Sequence, residues 1–323
     1  MSGLSYLEAI VVGAMQGVSE LFPISSLGHS VLLPALIGGR WAQDLNVSAP
    51  ESPYLAFIVG LHVATALALL VFFWRDWVRI LTGLFTSLRD RRVRTPDQRL
   101  AWLLVLGTIP VGLTGLLLEH LFRTTLGRPL PAAVFLLLNA VVLTLGERMR
   151  RPAPVPAMAG PEPSGTELAA EPSPAEATAE SSGESSGESS AEADERLSAM
   201  PTRSAFLIGA AQTLALLPGI SRSGVSMVAG LRLGLSHAEA ARFSFLLATP
   251  VILAAGVLKV PDLFGPLGAG IGGQVLAGSV ASFLSALFAV RFLTRYFQAR
   301  TLYPFAAYCA IAGAGSFLWL VFR

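Results

Sequence analysis

The sequence predicts an all-α polytopic membrane protein made of two inverted-topology repeats, each a re-entrant helix hairpin followed by three transmembrane helices. Of the 323 residues, 53% are hydrophobic and 14% are charged. An average soluble domain is about 25% charged, so this composition is typical of a membrane protein. Two short stretches that resemble each other indicate the repeat. A shift of 196 positions places Gln16, Ile24, Ser25 and Gly28 on Gln212, Ile220, Ser221 and Gly224.

The first repeat is predicted over residues 1–150. It opens with two apolar stretches, 4–20 and 25–38, which Pro23 separates. Crossing the hydrocarbon core takes about 20 residues of helix, so two shorter arms fit a re-entrant hairpin over 4–38. Three longer apolar runs follow, and we expect transmembrane helices at 54–74, 100–119 and 130–147.

An acidic linker is predicted over residues 151–200. Residues 152–195 contain ten acidic residues and no Lys or Arg, so the rest of the chain is strongly basic although the formal net charge is only +2. The linker is rich in Pro, Ala, Ser, Gly and Glu and has no apolar periodicity, so it cannot bury enough surface to fold. We interpret it as a disordered insertion, and a regulatory or partner-binding role is the alternative.

The second repeat is predicted over residues 201–323. Its hairpin, 204–235, has arms at 204–217 and 222–235 that Pro218 and Gly219 separate, and transmembrane helices are expected at 240–260, 271–292 and 302–322. Because three transmembrane helices per repeat is an odd number, the second repeat must be inverted relative to the first. Inverted repeats place their sites near the bilayer midplane, at broken helices.

Arginine placement predicts the orientation of the chain. The loop 75–99 carries seven arginines and should therefore be cytoplasmic. The arginines at 148–151 and 291–300 then lie on the same side, together with the linker. Both termini are expected outside, and the two hairpins enter from opposite sides, so their breaks can meet within the membrane. The N-terminus lacks the basic region of a signal peptide.

Polar residues gather at the break of the first hairpin. Gln16 and Glu20 are four residues apart and share one helix face. Ser25 and Ser26 suit the N-cap and first turn of the next half-helix, and His29 lies on the same face. The first hairpin therefore gathers a carboxylate, an amide, two hydroxyls and an imidazole around one break.

The second hairpin supplies Ser221, Arg222, Ser223 and Gly224 directly after its break. Arginine can bind phosphate through two parallel hydrogen bonds, and the N-terminus of a helix presents free N–H groups and a positive dipole end. Two such half-helix termini with an arginine between them predict a phosphate or diphosphate site. Glu20 and Arg222 would each cost about 2.5–3.5 kcal/mol at the bilayer centre, so they must pair, bind a ligand or metal, or face water. A purely structural Glu–Arg pair is the simpler alternative.

Two sequence signatures together resemble a known family. The string Gln-Gly-x-x-Glu-x-x-Pro-Ile-Ser-Ser-x-Gly-His runs from Gln16 to His29, and Pro-Gly-x-Ser-Arg-Ser-Gly runs from Pro218 to Gly224. Both resemble the bacterial undecaprenyl-diphosphatases of the integral-membrane, bacitracin-resistance type, and the pattern of spans fits nearly the whole chain outside the linker. The resemblance implies hydrolysis of undecaprenyl diphosphate to the monophosphate in the bacterial plasma membrane, which recycles the lipid carrier for peptidoglycan synthesis. It also implies a divalent cation, Mg²⁺ or Ca²⁺.

The resemblance also assigns roles to residues. The catalytic positions fall on Glu20, Ser26, His29 and Arg222, and the metal-binding positions on Glu20 and Gln16. Family members often carry Glu where this chain has Gln16, so the metal and acid–base roles shift toward Glu20. Substrate binding is expected of Gln16, Ser25, Ser221, Ser223 and Gly224.

Several alternatives stay open at the level of sequence. The nucleophile is Ser26 with His29 as base, His29 itself, or water that His29 activates. His62 is interpreted as a structural histidine within a span, and a site-lining role is the alternative. A transporter of a lipid phosphate or an ion is the rival function, because broken helices in inverted repeats are typical of transporters. The expected partners are the polyprenyl diphosphate lipid and a second copy in a homodimer, with no nucleic acid.

Overall fold

The computed structural model describes residues 4–45, 53–150, 193–265 and 270–322, and all regular structure in these ranges is helical. The first helices are α1 (Tyr6–Leu21), α2 (Ser26–Ile37), α3 (Gly39–Asp44), α4 (Pro53–Phe72), α5 (Trp74–Asp90), α6 (Pro96–Leu126) and α7 (Pro129–Arg148). They are followed by α8 (193–199), α9 (Thr202–Ala211), a 3-10 helix (Gln212–Leu216), α10 (Arg222–Arg232), α11 (His237–Leu263), α12 (Gly272–Tyr296) and α13 (Tyr303–Phe322).

The chain is a multi-pass membrane protein. Among the described residues, five helices are long and apolar enough to cross a bilayer: Pro96–Leu118, Pro129–Arg148, His237–Pro261, Gly272–Tyr296 and Tyr303–Phe322. A sixth candidate joins Phe57–Phe72 to Trp74–Asp90, two helices that meet at 88°. Each transmembrane segment expected from the sequence coincides with a helix, and the all-α membrane class is confirmed.

The arginine-rich segment 75–99 is not a simple loop, because most of it forms α5. This helix is amphipathic. Its apolar side chains Val78, Leu81, Phe85 and Leu88 are exposed along one stripe, while Trp77 and Ile80 are buried against the rest of the protein. Helices of this composition are typical of the membrane–water interface, and the 88° bend turns α5 away from the direction of α4.

The predicted linker ends earlier than residue 200. Residues 151–192 lie outside the described ranges, but 193–199 form α8. Asp194 on this helix is buried and accepts hydrogen bonds from Arg79 Nη2 at 2.6 Å and from Arg242 Nε at 2.7 Å. The last part of the expected linker is therefore folded, because its carboxylate joins two arginines from α5 and α11.

The two broken helix pairs pack on different long helices. Helix α1 packs along α12, and α9 packs along α6. In each case glycine permits the close approach, since a Cβ on Gly13 would overlap the backbone of Gly278, and a Cβ on Gly209 would overlap that of Gly107. Helix α7 packs on α13, and α4 packs on α11. The two breaks are thereby held inside a frame of long helices.

Candidate active site

The two breaks lie directly against each other. The first break (22–25) follows α1 and contains Pro23, and the second break (217–221) follows the 3-10 helix and contains Pro218. Ser25 Oγ accepts hydrogen bonds from Gly28 N and from Gly219 N, both at 3.2 Å. Ser25 has a φ of 71° and Gly219 has a φ of 118°, so both chains turn sharply at the point of contact. Ser25 therefore caps its own helix and also joins the two breaks.

The second break repeats this capping arrangement. Ser221 Oγ accepts from Gly224 N at 3.2 Å, as Ser25 does from Gly28. Ser223 Oγ donates to the carbonyl oxygen of Phe22 at 3.2 Å and lies 3.0 Å from Ser221 Oγ. Ser221 and Ser223, both expected to bind substrate, are thus placed where they satisfy the backbone of the two breaks. Ser223 and Gly224 do not line the cavity described below, whereas Ser221 does.

Asn139 in α7 holds both breaks and was not expected from the sequence. Its side chain is fully buried. Its Nδ2 donates to the carbonyl oxygen of Pro23 at 3.0 Å, and its Oδ1 accepts from Ser221 N at 3.0 Å. The only sequence signal for this role of Asn139 is that it is a lone asparagine in an apolar span, because it belongs to neither signature.

Glu20 is the centre of the polar cluster. Its Oε2 accepts from Ser26 Oγ at 2.5 Å and from Gln16 Nε2 at 3.0 Å, while its Oε1 accepts from Arg222 Nη2 at 2.6 Å. The Glu20 side chain is 5% exposed and that of Arg222 is 12% exposed. The structure thus brings together four of the expected residues, two from α1, one from the start of α2 and one from the start of α10.

His62 is also part of this cluster. Its Nε2 lies 3.4 Å from Glu20 Oε2, and its Nδ1 lies 2.9 Å from the carbonyl oxygen of Ile58. A carbonyl oxygen only accepts, so Nδ1 carries a hydrogen and Nε2 faces the carboxylate. The site-lining alternative for His62 is therefore the one that the structure supports.

His29 is placed away from the cluster. Its Nδ1 lies 2.7 Å from the carbonyl oxygen of Ser25, so Nδ1 carries a hydrogen there as well. Its Nε2 lies 2.7 Å from the hydroxyl of Tyr308 in α13, and the two rings stack at 5.7 Å. Both ring nitrogens of His29 are engaged in these contacts, and His29 does not line the cavity. Its catalytic role stays a prediction.

A cavity of about 670 Å³ opens in front of Glu20, Ser26 and Arg222. Its walls come mainly from α6 and α11, and they are predominantly apolar. Gly112 and Gly115 on α6 have open space where a Cβ would be. Lys259, the only lysine in the chain, lines the cavity together with Gly127 at the far ends of these helices. A polar end and a long apolar wall suit a molecule with an anionic head and a hydrocarbon tail.

Comparison with known proteins gives one consistent result. The profile of the family described as bacitracin resistance protein BacA matches residues 9–315. A protein named undecaprenyl-diphosphatase from Mycobacterium avium (strain 104) is 68% identical over 321 residues, which cover 99% of each chain. A protein of the same name from Mycolicibacterium paratuberculosis is also 68% identical over 321 residues, again 99% of each chain. Undecaprenyl-diphosphatase 1 from Frankia casuarinae is 56% identical over 362 residues, covering 97% of this chain and 98% of its own.

Proposed function

The chain is an undecaprenyl-diphosphatase of the bacitracin resistance protein BacA family, and on that premise we propose that it cleaves its lipid substrate at Glu20, Ser26 and Arg222. One observation carries this assignment. The Glu20 carboxylate accepts from a serine hydroxyl on one oxygen and from an arginine on the other. A hydroxyl bonded to a carboxylate is a nucleophile with its base in place, and arginine stabilises phosphate charge. The adjoining apolar cavity suits a polyprenyl tail.

In the proposed reaction, Ser26 loses its proton to Glu20 while Oγ forms a bond to the terminal phosphorus. The bond from that phosphorus to the bridging oxygen breaks, and undecaprenyl phosphate leaves after its oxygen takes the proton from Glu20. Water then attacks the phosphorus of the phosphoserine and gives a proton to Glu20, while the bond from phosphorus to Ser26 Oγ breaks and Glu20 returns the proton to Oγ. Inorganic phosphate is released and the serine is restored.

The geometry favours Glu20 as the base for Ser26 over the three routes that use His29. Ser26 Oγ lies 2.5 Å from Glu20 Oε2, whereas both ring nitrogens of His29 face Ser25 and Tyr308. One nitrogen of Arg222 is available to bind substrate, because Nη1 is buried without a hydrogen-bond partner among the described residues. That Nη1 would donate to a phosphate oxygen while Nη2 remains on Glu20.

Mg²⁺ or Ca²⁺ is part of the proposal. Within the described residues, no group of three or more His, Cys, Asp and Glu side chains could hold a metal ion. The Glu20 carboxylate lines the cavity, whereas the buried, unpartnered Oε1 of Gln16 lies beside Glu20 but does not line it. Mg²⁺ is usually bound by one or two carboxylates together with substrate phosphates, so Glu20 would be the main protein ligand of an ion held largely by the diphosphate. When bound, the ion would neutralise phosphate charge.

The inverted repeat is also proposed, and helix packing supports it. The shift of 196 positions that relates the two signatures also places Gly13 on Gly209. Gly13 of the first repeat contacts Gly278 in α12, which is the second long helix of the second repeat. Gly209 of the second repeat contacts Gly107 in α6, which is the second long helix of the first repeat. Helices α7 and α13 hold corresponding positions in the two repeats and pack on each other, and the same is true of α4 and α11.

We further propose that both termini and the cavity mouth face outward and that the linker is cytoplasmic. Glu147 at the end of α7 contacts His237 of α11 and Leu302 N, and Arg242 of α11 contacts Asp76 of α5. The arginine-rich segments therefore share one end of the protein, which the positive-inside rule assigns to the cytoplasm. Lys259 and Gly127 lie near the opposite ends of α11 and α6, where the substrate would enter.

The test is phosphate release from undecaprenyl diphosphate by the purified full chain in detergent, with Mg²⁺ or Ca²⁺ and then with EDTA. We expect release with either ion and its loss with EDTA. Absence of release from well-folded protein would contradict the hydrolase assignment to this site, and unchanged release in EDTA would contradict the metal.

A further inference from the structure

Gln212 carries a buried carboxamide that no described residue satisfies. Its exposed fraction is 0%, and both Nε2 and Oε1 lack a hydrogen-bond partner among the described residues. Gln212 lines the cavity with Glu20 and Arg222. Buried polar groups in native proteins nearly always have a partner, and an unpaired one is costly. An amide that is unpaired on both atoms and lines a cavity therefore indicates a molecule bound in that cavity.

The repeat explains why this amide has no protein partner. Gln16, 196 positions earlier, donates from Nε2 to Glu20 Oε2 at 3.0 Å. The same shift places Glu20 on Leu216, so the second copy retains the amide and lacks the carboxylate. Gln212 also begins a 3-10 helix, whereas Gln16 lies within α1. Only the first copy supplies its glutamine with an acceptor.

We propose that Gln212 is a substrate-binding residue, with Nε2 donating to a non-bridging oxygen of the diphosphate. The inference rests on the proposed function, because it takes the diphosphate head as the ligand of this cavity. Non-bridging phosphate oxygens only accept hydrogen bonds, so they match Nε2 and the free Arg222 Nη1. Gln212 Oε1 then accepts from a water molecule, which supplies the donor that phosphate lacks.

The decisive variant is Gln212→Leu, which keeps the side chain's size and removes both polar atoms. We expect kcat/KM for undecaprenyl diphosphate to fall about tenfold to hundredfold, the effect of losing one hydrogen bond to a charged group. Inhibition by methylenediphosphonate should weaken by a similar factor. The Tm of the ligand-free variant should rise by about 1–3 °C, because two unpaired buried groups disappear. A purely structural role would lower the Tm instead.

Ser244→Ala is the matched control. Ser244 Oγ is also buried without a described partner, but Ser244 does not line the cavity. Its loss should leave kcat/KM and methylenediphosphonate inhibition within about twofold of wild type. Gln212→Asn retains an amide and should keep more activity than Gln212→Leu.

The outcomes separate this inference from the proposed function. If wild-type protein releases no phosphate, the proposed function fails first. If wild type is active and Gln212→Leu matches it in kcat/KM and inhibition, Gln212 does not bind substrate. A Gln212→Leu variant that loses activity and also has a lowered Tm would show a structural role and would likewise overturn the inference.

Discussion

At the scale of single residues, the Glu20 carboxylate forms hydrogen bonds with several side chains at once. It accepts from Ser26, Gln16 and Arg222, and its side chain is only 5% exposed. Removing one partner of a buried ion pair typically costs about 3–5 kcal/mol, because the other charge is left unpaired. Replacement of Glu20 by alanine would therefore lower both stability and activity, so the loss of rate could not be assigned to catalysis. Glutamine keeps the shape and one acceptor oxygen while removing the charge and the basicity.

Four of the residues that the sequence assigns to the site meet at the Glu20 carboxylate. Because an isolated charge is costly in a membrane, Glu20 and Arg222 must pair, bind a ligand or metal, or face water, and the structure places them 2.6 Å apart. Asn139 and Gln212 could not be predicted in the same way. Asn139 is a lone amide in an apolar span, and its role depends on residues more than eighty positions away. The repeat marks Gln212 as the counterpart of Gln16, but its role depends on a partner that the second copy lacks.

At the scale of helices, Asn139 of α7 fixes the relative position of the two breaks. Asn139→Leu should lower the free energy of unfolding by about 2–4 kcal/mol, because it leaves Pro23 O and Ser221 N buried without their partner. Phosphate release should also fall, since the start of α10, which carries Arg222, is no longer held against the first break. Thermal unfolding in detergent and the phosphate assay measure the two effects.

Thr144→Val is the control for Asn139, because it removes a polar atom from the same helix. Thr144 Oγ1 donates to the carbonyl oxygen of Ala140, one turn earlier in α7. We expect a change in unfolding free energy within about 0.5–1 kcal/mol. If Asn139→Leu is no less stable than Thr144→Val, the bridge between the breaks does not stabilise the fold.

Most of the helices could be predicted from the sequence, because long apolar runs and prolines are local signals. Helices, expected at 4–20 and 25–38 as the arms of a hairpin, are present at Tyr6–Leu21 and Ser26–Ile37. The sequence does not predict helix α5, because seven arginines over 75–99 favour a loop, although the apolar residues of this segment recur at helical spacing. Helix α8 was missed because its stability depends on arginines in two other helices, which no local pattern reveals.

At the scale of the whole molecule, Asp194 joins the end of the linker to both halves of the chain. It bonds to Arg79 of α5 and to Arg242 of α11. Asp194→Asn should lower the free energy of unfolding by about 1.5–3 kcal/mol, because two arginines lose one of the two carboxylates that they share and keep the other, Asp76. Activity of the folded variant should stay near that of wild type, since Asp194 does not line the cavity. Thermal unfolding and phosphate release measured below the Tm separate these effects.

Glu195→Gln is the matched control for Asp194, because it makes the same kind of change at the next residue on an exposed side chain. Its unfolding free energy should be within about 0.5 kcal/mol of wild type. Equal stability of Asp194→Asn and Glu195→Gln would show that α8 does not hold the two halves together.

On the proposed mechanism, a carboxylate held between the two breaks activates a serine to split the lipid diphosphate. The most direct test compares the rate of phosphate release by Glu20→Gln with that of Glu8→Gln, each normalised to folded protein. Both changes neutralise a buried carboxylate on α1, but Glu8 serves the capping box with Ser5 at the helix start. We expect Glu20→Gln to lose about 10²–10⁴-fold in rate, as for a missing general base, and Glu8→Gln to retain the wild-type rate. Similar rates for the two variants would show that Glu20 is not the base that activates Ser26.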